Sequence, residues 1–165
     1  MATVQLSTYS PDETFGLGRD LGQRLRGGEV VALVGDLGSG KTTFTRGLAC
    51  GLGFADYRKV TSPTYVLEQI YEGRCLLHHY DAYRLAGGAE LRALGFDERL
   101  GGTAVLVLEW ADRVADCLPD ERLLVEIGFA SETGPDARRI RLTGSSSRWS
   151  STLSALVEPR HGDDC

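Results

Sequence analysis

The residues best placed to do chemistry are Lys41 and Thr42, which close an octapeptide, Gly35–Thr42, reading G-D-L-G-S-G-K-T. Glycines at this spacing let successive backbone N–H groups turn inward around an anion, and a following helix adds the positive end of its dipole. A lysine in this place reaches β- and γ-phosphates, and the hydroxyl after it takes a position on Mg²⁺. Asp36, Leu37, Gly38, Ser39, Gly40, Lys41, Thr42 and Thr43 are therefore the candidate binding residues for a nucleoside phosphate. Lys41 is one of only two lysines beside sixteen arginines, so a chance lysine at this spot is a poor explanation.

Such a loop needs an acid at the end of a neighbouring strand to hold Mg²⁺ directly or through water. Two residues compete for that role. Glu109 ends the apolar run Val105–Leu108, which makes it the better candidate by hydropathy and, with Thr42, the expected metal pair. Asp81 ends the more polar run Cys75–Tyr80, and alternation puts His79, Asp81 and Tyr83 on one face. A site with both acids is chemically sensible, one holding metal while the other orients water. Thr64, in Thr61-Ser62-Pro63-Thr64, lies where nucleotide switches sense a γ-phosphate, although the same residues also suit a plain turn into a strand. His78 and His79 are adjacent strand residues on opposite faces, so they do not make a metal pair. Trp110 suits packing better than base stacking, and Arg84 and Arg113 are by default surface charges.

These residues need elements to hold them. Ser10-Pro11-Asp12-Glu13 is a capped helix start with a capping box, and Phe15, Gly18, Leu21 and Leu25 continue it on one face to Gly27-Gly28. Glu29–Val34 is a doubly buried strand ahead of the loop. Thr43–Leu52 is the helix behind it, broken by Gly51 and Gly53. Tyr65–Tyr71 and Cys75–Asp81 flank Glu72-Gly73-Arg74 as an antiparallel hairpin. Short helices are expected at Ala89–Leu94 and Ala111–Leu118, a buried strand at Thr103–Trp110, and a closing hairpin from Leu123–Phe129 and Arg138–Leu142. The fold class is α/β: one P-loop domain over residues 1–144, with a mixed sheet of parallel core strands, an antiparallel hairpin and flanking helices. Residues 145–165, with their serine run and the end Gly162-Asp163-Asp164-Cys165, read as a loosely held tail.

Composition narrows the function. At 165 residues, with 42% apolar and 25% charged side chains, the chain has ordinary globular proportions. A net charge of −5 provides no broad basic field, so direct binding to tRNA or DNA is not expected. Cys50, Cys75, Cys117 and Cys165 lack C-x-x-C spacing and read as reduced thiols. With no apolar run near ~18 residues and no signal-peptide pattern at Met1–Gln5, the expectation is a cytoplasmic protein without a membrane span.

An ordered series of motifs then narrows it further. G-D-L-G-S-G-K-T-T (Gly35–Thr43) is followed by S-P-T-Y (Ser62–Tyr65), H-x-D-x-Y-R-L (His79–Leu85), L-G-F-D-E (Leu94–Glu98) and V-L-E-W (Val107–Trp110). Over roughly Pro11–Arg139 this series resembles the TsaE family of tRNA threonylcarbamoyladenosine biosynthesis ATPases. The resemblance implies a small Mg²⁺-dependent ATPase, taking ATP and releasing ADP, that serves a complex modifying position 37 of tRNAs reading ANN codons. It implies two partner proteins, TsaB and the transferase TsaD, the latter reset between turnovers by ATP. Carried over, Lys41 binds phosphates, Thr42 and Glu109 are Mg²⁺ ligands, Asp81 is the essential acid and Thr64 the switch threonine. Thr61 stands where many members carry lysine.

Two rivals remain at the level of sequence. A small-molecule kinase would need a lid of phosphate-clamping arginines, for which Arg84, Arg92 and Arg99 are the available residues, and an acceptor pocket in a chain of 17.9 kDa. A non-catalytic, nucleotide-gated binding module would share the same Mg²⁺ site. A guanine-specific switch is excluded more firmly, because an N-K-x-D reader needs asparagine and the chain has none.

Overall fold

A computed structural model describes residues 1–158; the acidic end Gly162–Cys165 lies outside the described residues. The chain runs β1 (Ala2–Thr8), α1 (Pro11–Arg24), β2 (Val30–Val34), α2 (Lys41–Gly51), β3 (Glu68–Glu72), β4 (Leu76–Asp81), α3 (Gly88–Ala93), α4 (Phe96–Arg99), β5 (Val105–Glu109), β6 (Leu123–Phe129), β7 (Arg138–Gly144) and α5 (Ser147–Val157). Short 3₁₀ segments occupy Tyr57–Lys59 and Ala111–Cys117. One seven-stranded sheet has the order β1-β7-β6-β2-β5-β4-β3. The pairs β2·β6, β2·β5 and β4·β5 are parallel, while β3·β4, β6·β7 and β1·β7 are antiparallel. Both faces are covered, which is why β2 and β5 read as unbroken apolar runs.

One face carries α1, α2 and α5 over Val31, Leu33, Val107 and Val125, with Phe44, Leu48 and Trp149 packed down on them. The other carries Tyr80, Leu106 and Leu108 under Leu91, Phe96 and Val114. Ser10 caps α1 by accepting from the Glu13 N–H (3.1 Å), and the Glu13 carboxylate accepts from the Tyr9 N–H (2.8 Å), one residue before the position a regular capping box uses.

The helix pair α1·α2 is set by glycine on both sides. Gly18 and Gly22 of α1 face Gly47 and Gly51 of α2, each spaced four apart and so on one helix face. A Cβ at Gly47 would stand 2.1 Å from the Phe15 carbonyl oxygen, and one at Gly51 would stand 2.2 Å from that of Arg19. Gly51 is thus a packing position inside the helix and not the breaker the sequence suggested; Gly53, with φ of +88°, follows the helix end. Arg74, in the β3–β4 turn, donates to the carbonyls of Gly51, Gly22 and Leu25, which satisfies the ends of both helices with one guanidinium.

Two further expectations are corrected, and one element is added. The segment after Gly144 is not a loose tail through residue 157: Ser147–Val157 is a helix with Trp149 and Leu153 buried against the core. Its serines masked an apolar stripe of Trp149, Leu153 and Leu156, which only the neighbouring β1 and β7 make useful. Ala2–Thr8, unassigned from sequence, is the antiparallel edge strand that pairs all seven residues with β7. The hairpin strand begins at Glu68 and not at Tyr65; residues 64–67 form a turn in which Leu67 takes φ of 68°, and Tyr65 is exposed.

Gly47→Ala tests the helix contact. Alanine gains about 1 kcal/mol of helix propensity, but the methyl meets backbone that cannot step aside, an overpacking cost of about 3 kcal/mol. Urea unfolding should therefore show a net loss of about 2 kcal/mol, and unchanged or higher stability would mean the helices are not held at this distance.

Candidate functional site

The site forms where β2, β5 and β4 end on the same side. Leu33 pairs with Glu109, and Asp81 pairs with Glu109, so the loop after β2 and both acids meet by register alone. Gly38 and Gly40 supply positive φ (77° and 111°) where the loop turns into α2. A cleft of about 480 Å³ opens there, lined by Leu37, Gly38, Gly40, Lys41, Thr42 and Thr43 of the loop and by Ser62, Thr64, Asp81, Glu109 and Trp110 across from it. Asp36 and Ser39 do not line this cleft. The Asp36 carbonyl accepts from Lys41, while Ser39 is buried and borders a smaller hollow with Pro11, Thr14, Asp136 and Arg138.

Two groups of polar contacts share the cleft floor. Thr42 Oγ1 donates to both oxygens of Glu109, at 3.0 and 3.1 Å. Asp81 accepts from Thr64 Oγ1 (2.8 Å), from Ser62 Oγ and from the Tyr83 backbone N–H (2.8 Å). Ser62 stands between the groups, 3.1 Å from Thr64 and 3.5 Å from Glu109 Oε2. The structure therefore gathers every catalytic candidate, Asp81, Thr64 and Glu109, with Thr42, and adds Ser62. Nothing in the sequence marked Ser62 apart from its neighbours, because its role comes from the turn at residues 64–67 folding back over β4.

Lys41 donates to the carbonyls of Gly35 (2.6 Å) and Asp36 (3.0 Å), and its ammonium sits 3.9 Å from the centre of the Trp110 ring. Burial lowers its pKa, opposed by the charges of Glu109, Asp81, Asp112 and Asp36. A desolvated cation held only by carbonyls, an aromatic face and distant carboxylates is suited to meet an incoming polyanion. Trp110 takes a left-handed conformation (φ 58°, ψ 40°) directly after Glu109 and also packs on Tyr83. It packs against the second core, as expected, and its ring also forms the wall behind Lys41.

Arg138, from β7, was legible only as part of a strand. It donates from Nε to the Ser39 carbonyl (2.7 Å) and from Nη2 to that of Gly38 (3.3 Å). Two successive loop carbonyls are thus held from β7. His78 pairs with Glu68 and His79 with Glu109, each at 2.8 Å, on opposite faces of β4. Two of the possible lid arginines are engaged elsewhere, Arg92 with Asp97 and Asp116 and Arg99 with Glu68, while Arg84 lies over the ring of Tyr65, at the edge of the cleft. A larger hollow of about 770 Å³ lies at the opposite end of β2, but its Arg74 and Arg148 are spent on helix-end carbonyls and on Glu29.

Whether these residues suit Mg²⁺ follows from donor chemistry. Thr42 and Glu109 offer hard oxygens, as Mg²⁺ requires. Among the described residues no cluster of three or more His, Cys, Asp or Glu side chains forms a metal cage. That is compatible with Mg²⁺, which keeps waters and phosphate oxygens around one or two protein ligands.

A glycine-rich loop between a buried parallel strand and a helix, with acids ending the next strands, defines the fold of the P-loop nucleoside triphosphatases. The family model described as "Threonylcarbamoyl adenosine biosynthesis protein TsaE" matches residues 8–140. The chain belongs to the TsaE family. It is similar to the TsaE protein of Treponema pallidum, at 42% identity over 72% of this chain and 86% of that one. It is likewise similar to the TsaE protein of Bacillus subtilis, at 38% identity over 90% of each. Among solved structures, that of Bacillus subtilis YdiB superposes with a TM-score of 0.76 and 33% identity, covering 94% of both chains. Among the described residues no helix is long and apolar enough to cross a membrane.

If Arg138 holds the loop, Arg138→Met should speed amide hydrogen exchange at Ser39, whose N–H donates to the Asp36 carbonyl, by about tenfold, since a charged hydrogen bond is worth about 1.5 kcal/mol. Exchange at the parent rate would show that the loop holds its shape without it.

Proposed function

We propose that this protein is a Mg²⁺-dependent ATPase of tRNA N6-threonylcarbamoyladenosine biosynthesis, whose nucleotide state acts on a TsaD-like transferase together with a TsaB-like partner. The observation that carries the reading is the convergence of Lys41 and Thr42 with two buried, differently bonded acids, Glu109 and Asp81. Family membership supplies the pathway. Lys41 and the loop amides bind the phosphates of ATP, and Thr42 with Glu109 holds Mg²⁺, which supplies charge neutralisation at the phosphates when bound. Asp81 accepts hydroxyl hydrogen bonds and is free of the Thr42 contact, which suits the acid that orients a water. Thr64 is bonded to it through Oγ1, so a γ-phosphate drawing that hydroxyl away would rearrange residues 62–67 and the exposed Tyr65 and Val66 beside them. The engaged Arg92 and Arg99 speak against a kinase lid. No direct contact with tRNA is needed, and a role in tRNA modification is consistent with the cytoplasm.

The two acids are separable by experiment. Glu109→Ala should raise the Mg²⁺ half-saturation for nucleotide binding, while Asp81→Ala should leave binding intact and cut turnover by about 10²-fold or more. Titrations in which Asp81→Ala moves the half-saturation point and Glu109→Ala does not would exchange their roles.

The purpose of hydrolysis is tested by multiple-turnover threonylcarbamoyl transfer to tRNA, reconstituted with TsaB and TsaD. Adding this protein with ATP should raise turnover, and Asp81→Ala should support little beyond the first round. Equal turnover with and without the protein, or a rise that survives loss of Asp81, would refute the resetting role.

A further inference from the structure

His79 lies wholly inside the protein on β4, beneath the candidate site. Its Nε2 is 2.8 Å from Glu109 Oε1, with His79 at 0% and Glu109 at 3% side-chain exposure. Its other ring nitrogen, Nδ1, has no hydrogen-bond partner among the described residues. The ring packs instead against Tyr71, with centroids 6.1 Å apart. Because a carboxylate accepts hydrogen bonds, the contact suits the tautomer that carries its proton on Nε2. A buried histidine kept only for packing has no reason to leave one nitrogen bare, because apolar side chains of similar volume fill the same space without that cost.

We propose that His79 is a positioning residue for Glu109, its Nε2–H fixing the carboxylate so that one oxygen is presented to a divalent cation beside Thr42. The inference rests on the reading of Glu109 as a Mg²⁺ ligand. Oε1 of Glu109 receives both His79 and Thr42, whereas Oε2 receives Thr42 and only a 3.5 Å contact from Ser62. Oε2 is therefore the oxygen with lone pairs to spare. Sheet geometry makes this possible: His79 and Asp81 share one face of β4, and Glu109 is the register partner of Asp81. Without His79, the Glu109 carboxylate could rotate about its last torsion, which is broad for a glutamate. Outer partners that orient a metal-binding carboxylate matter in general by about 10–100-fold in metal affinity.

The test compares His79→Phe, which keeps a ring against Tyr71 but donates nothing, with His79→Gln, whose side-chain amide can return an N–H to Glu109. Calorimetric titration of ADP against Mg²⁺ should show the half-saturating Mg²⁺ rising by about 10–100-fold in His79→Phe, returning toward the parent in His79→Gln, with Mg²⁺-free ADP affinity unchanged in both. A second measurement needs neither metal nor nucleotide. The long-range ¹H–¹⁵N spectrum of the histidine ring should show Nε2 carrying the proton and Nδ1 bare. Thermal destabilisation of His79→Phe with an unmoved Mg²⁺ half-saturation point would overturn the proposal, as would a proton found on Nδ1 alone. If the parent itself fails to bind Mg²⁺ with ADP, the ATPase reading fails, and the ring spectrum still decides whether His79 donates to Glu109.

Discussion

Parallel pairing of β2, β5 and β4 is the constraint from which the candidate site follows. Because these strands run the same way, their carboxyl ends coincide: Leu33 stands beside Glu109, and Glu109 beside Asp81. Neighbouring strands lie about 4.8 Å apart, so two acids are brought into close company on a buried sheet. Like charges in such company repel each other. The fold tolerates this because each carboxylate has its own donors. Asp81 takes Thr64, Ser62 and the Tyr83 N–H, while Glu109 takes Thr42 and His79. Lys41 adds a positive charge that interacts with both.

The division of donors is also a division of labour. Glu109 is tied to the first turn of α2, and Asp81 is tied to the segment at residues 62–67, which is exposed at Tyr65 and Val66. One acid is thereby tied to the helix behind the loop and the other to an exposed turn. The helix side is reinforced from outside the cleft, by Arg138 on the loop carbonyls and by the glycine contact that presses α1 against α2. Within the loop, Lys41 holds the carbonyls of Gly35 and Asp36, and the distant Arg138 holds those of Gly38 and Ser39. Lys41 meanwhile rests on Trp110, whose left-handed backbone brings the ring behind the ammonium immediately after Glu109.

Much of this was legible in the residues alone, wherever the signal is local. The strand–loop–helix around Gly35–Thr42, the buried runs of β2 and β5, the hairpins and the helix start at Ser10 all depend on neighbours in sequence, through periodicity, capping and turn chemistry. Lys41, Thr42, Thr64, Asp81 and Glu109 could be named because each sits at a motif position or a strand end. Gly18 was visible on the α1 face, but its purpose was not, since a glycine in a helix reads as a weakness until a second helix is laid against it.

What only the tertiary structure decided are the contacts between residues far apart in the chain. The edge strand β1 has no use until β7 offers it a partner, and the stripe of Trp149 and Leu153 has none until a core lies beneath it. Arg138 is an ordinary strand arginine until folding brings it to Ser39, ninety-nine residues away. Ser62 and His79 meet Asp81 and Glu109 only through the turn at residues 64–67 and the register of the sheet. The sequence by itself determined which groups could bind phosphate and metal, because their chemistry is written in residue type and short spacing. Which of two acids meets Thr42, and what holds each of them still, was settled only by strand register and long-range hydrogen bonds, which no local pattern encodes.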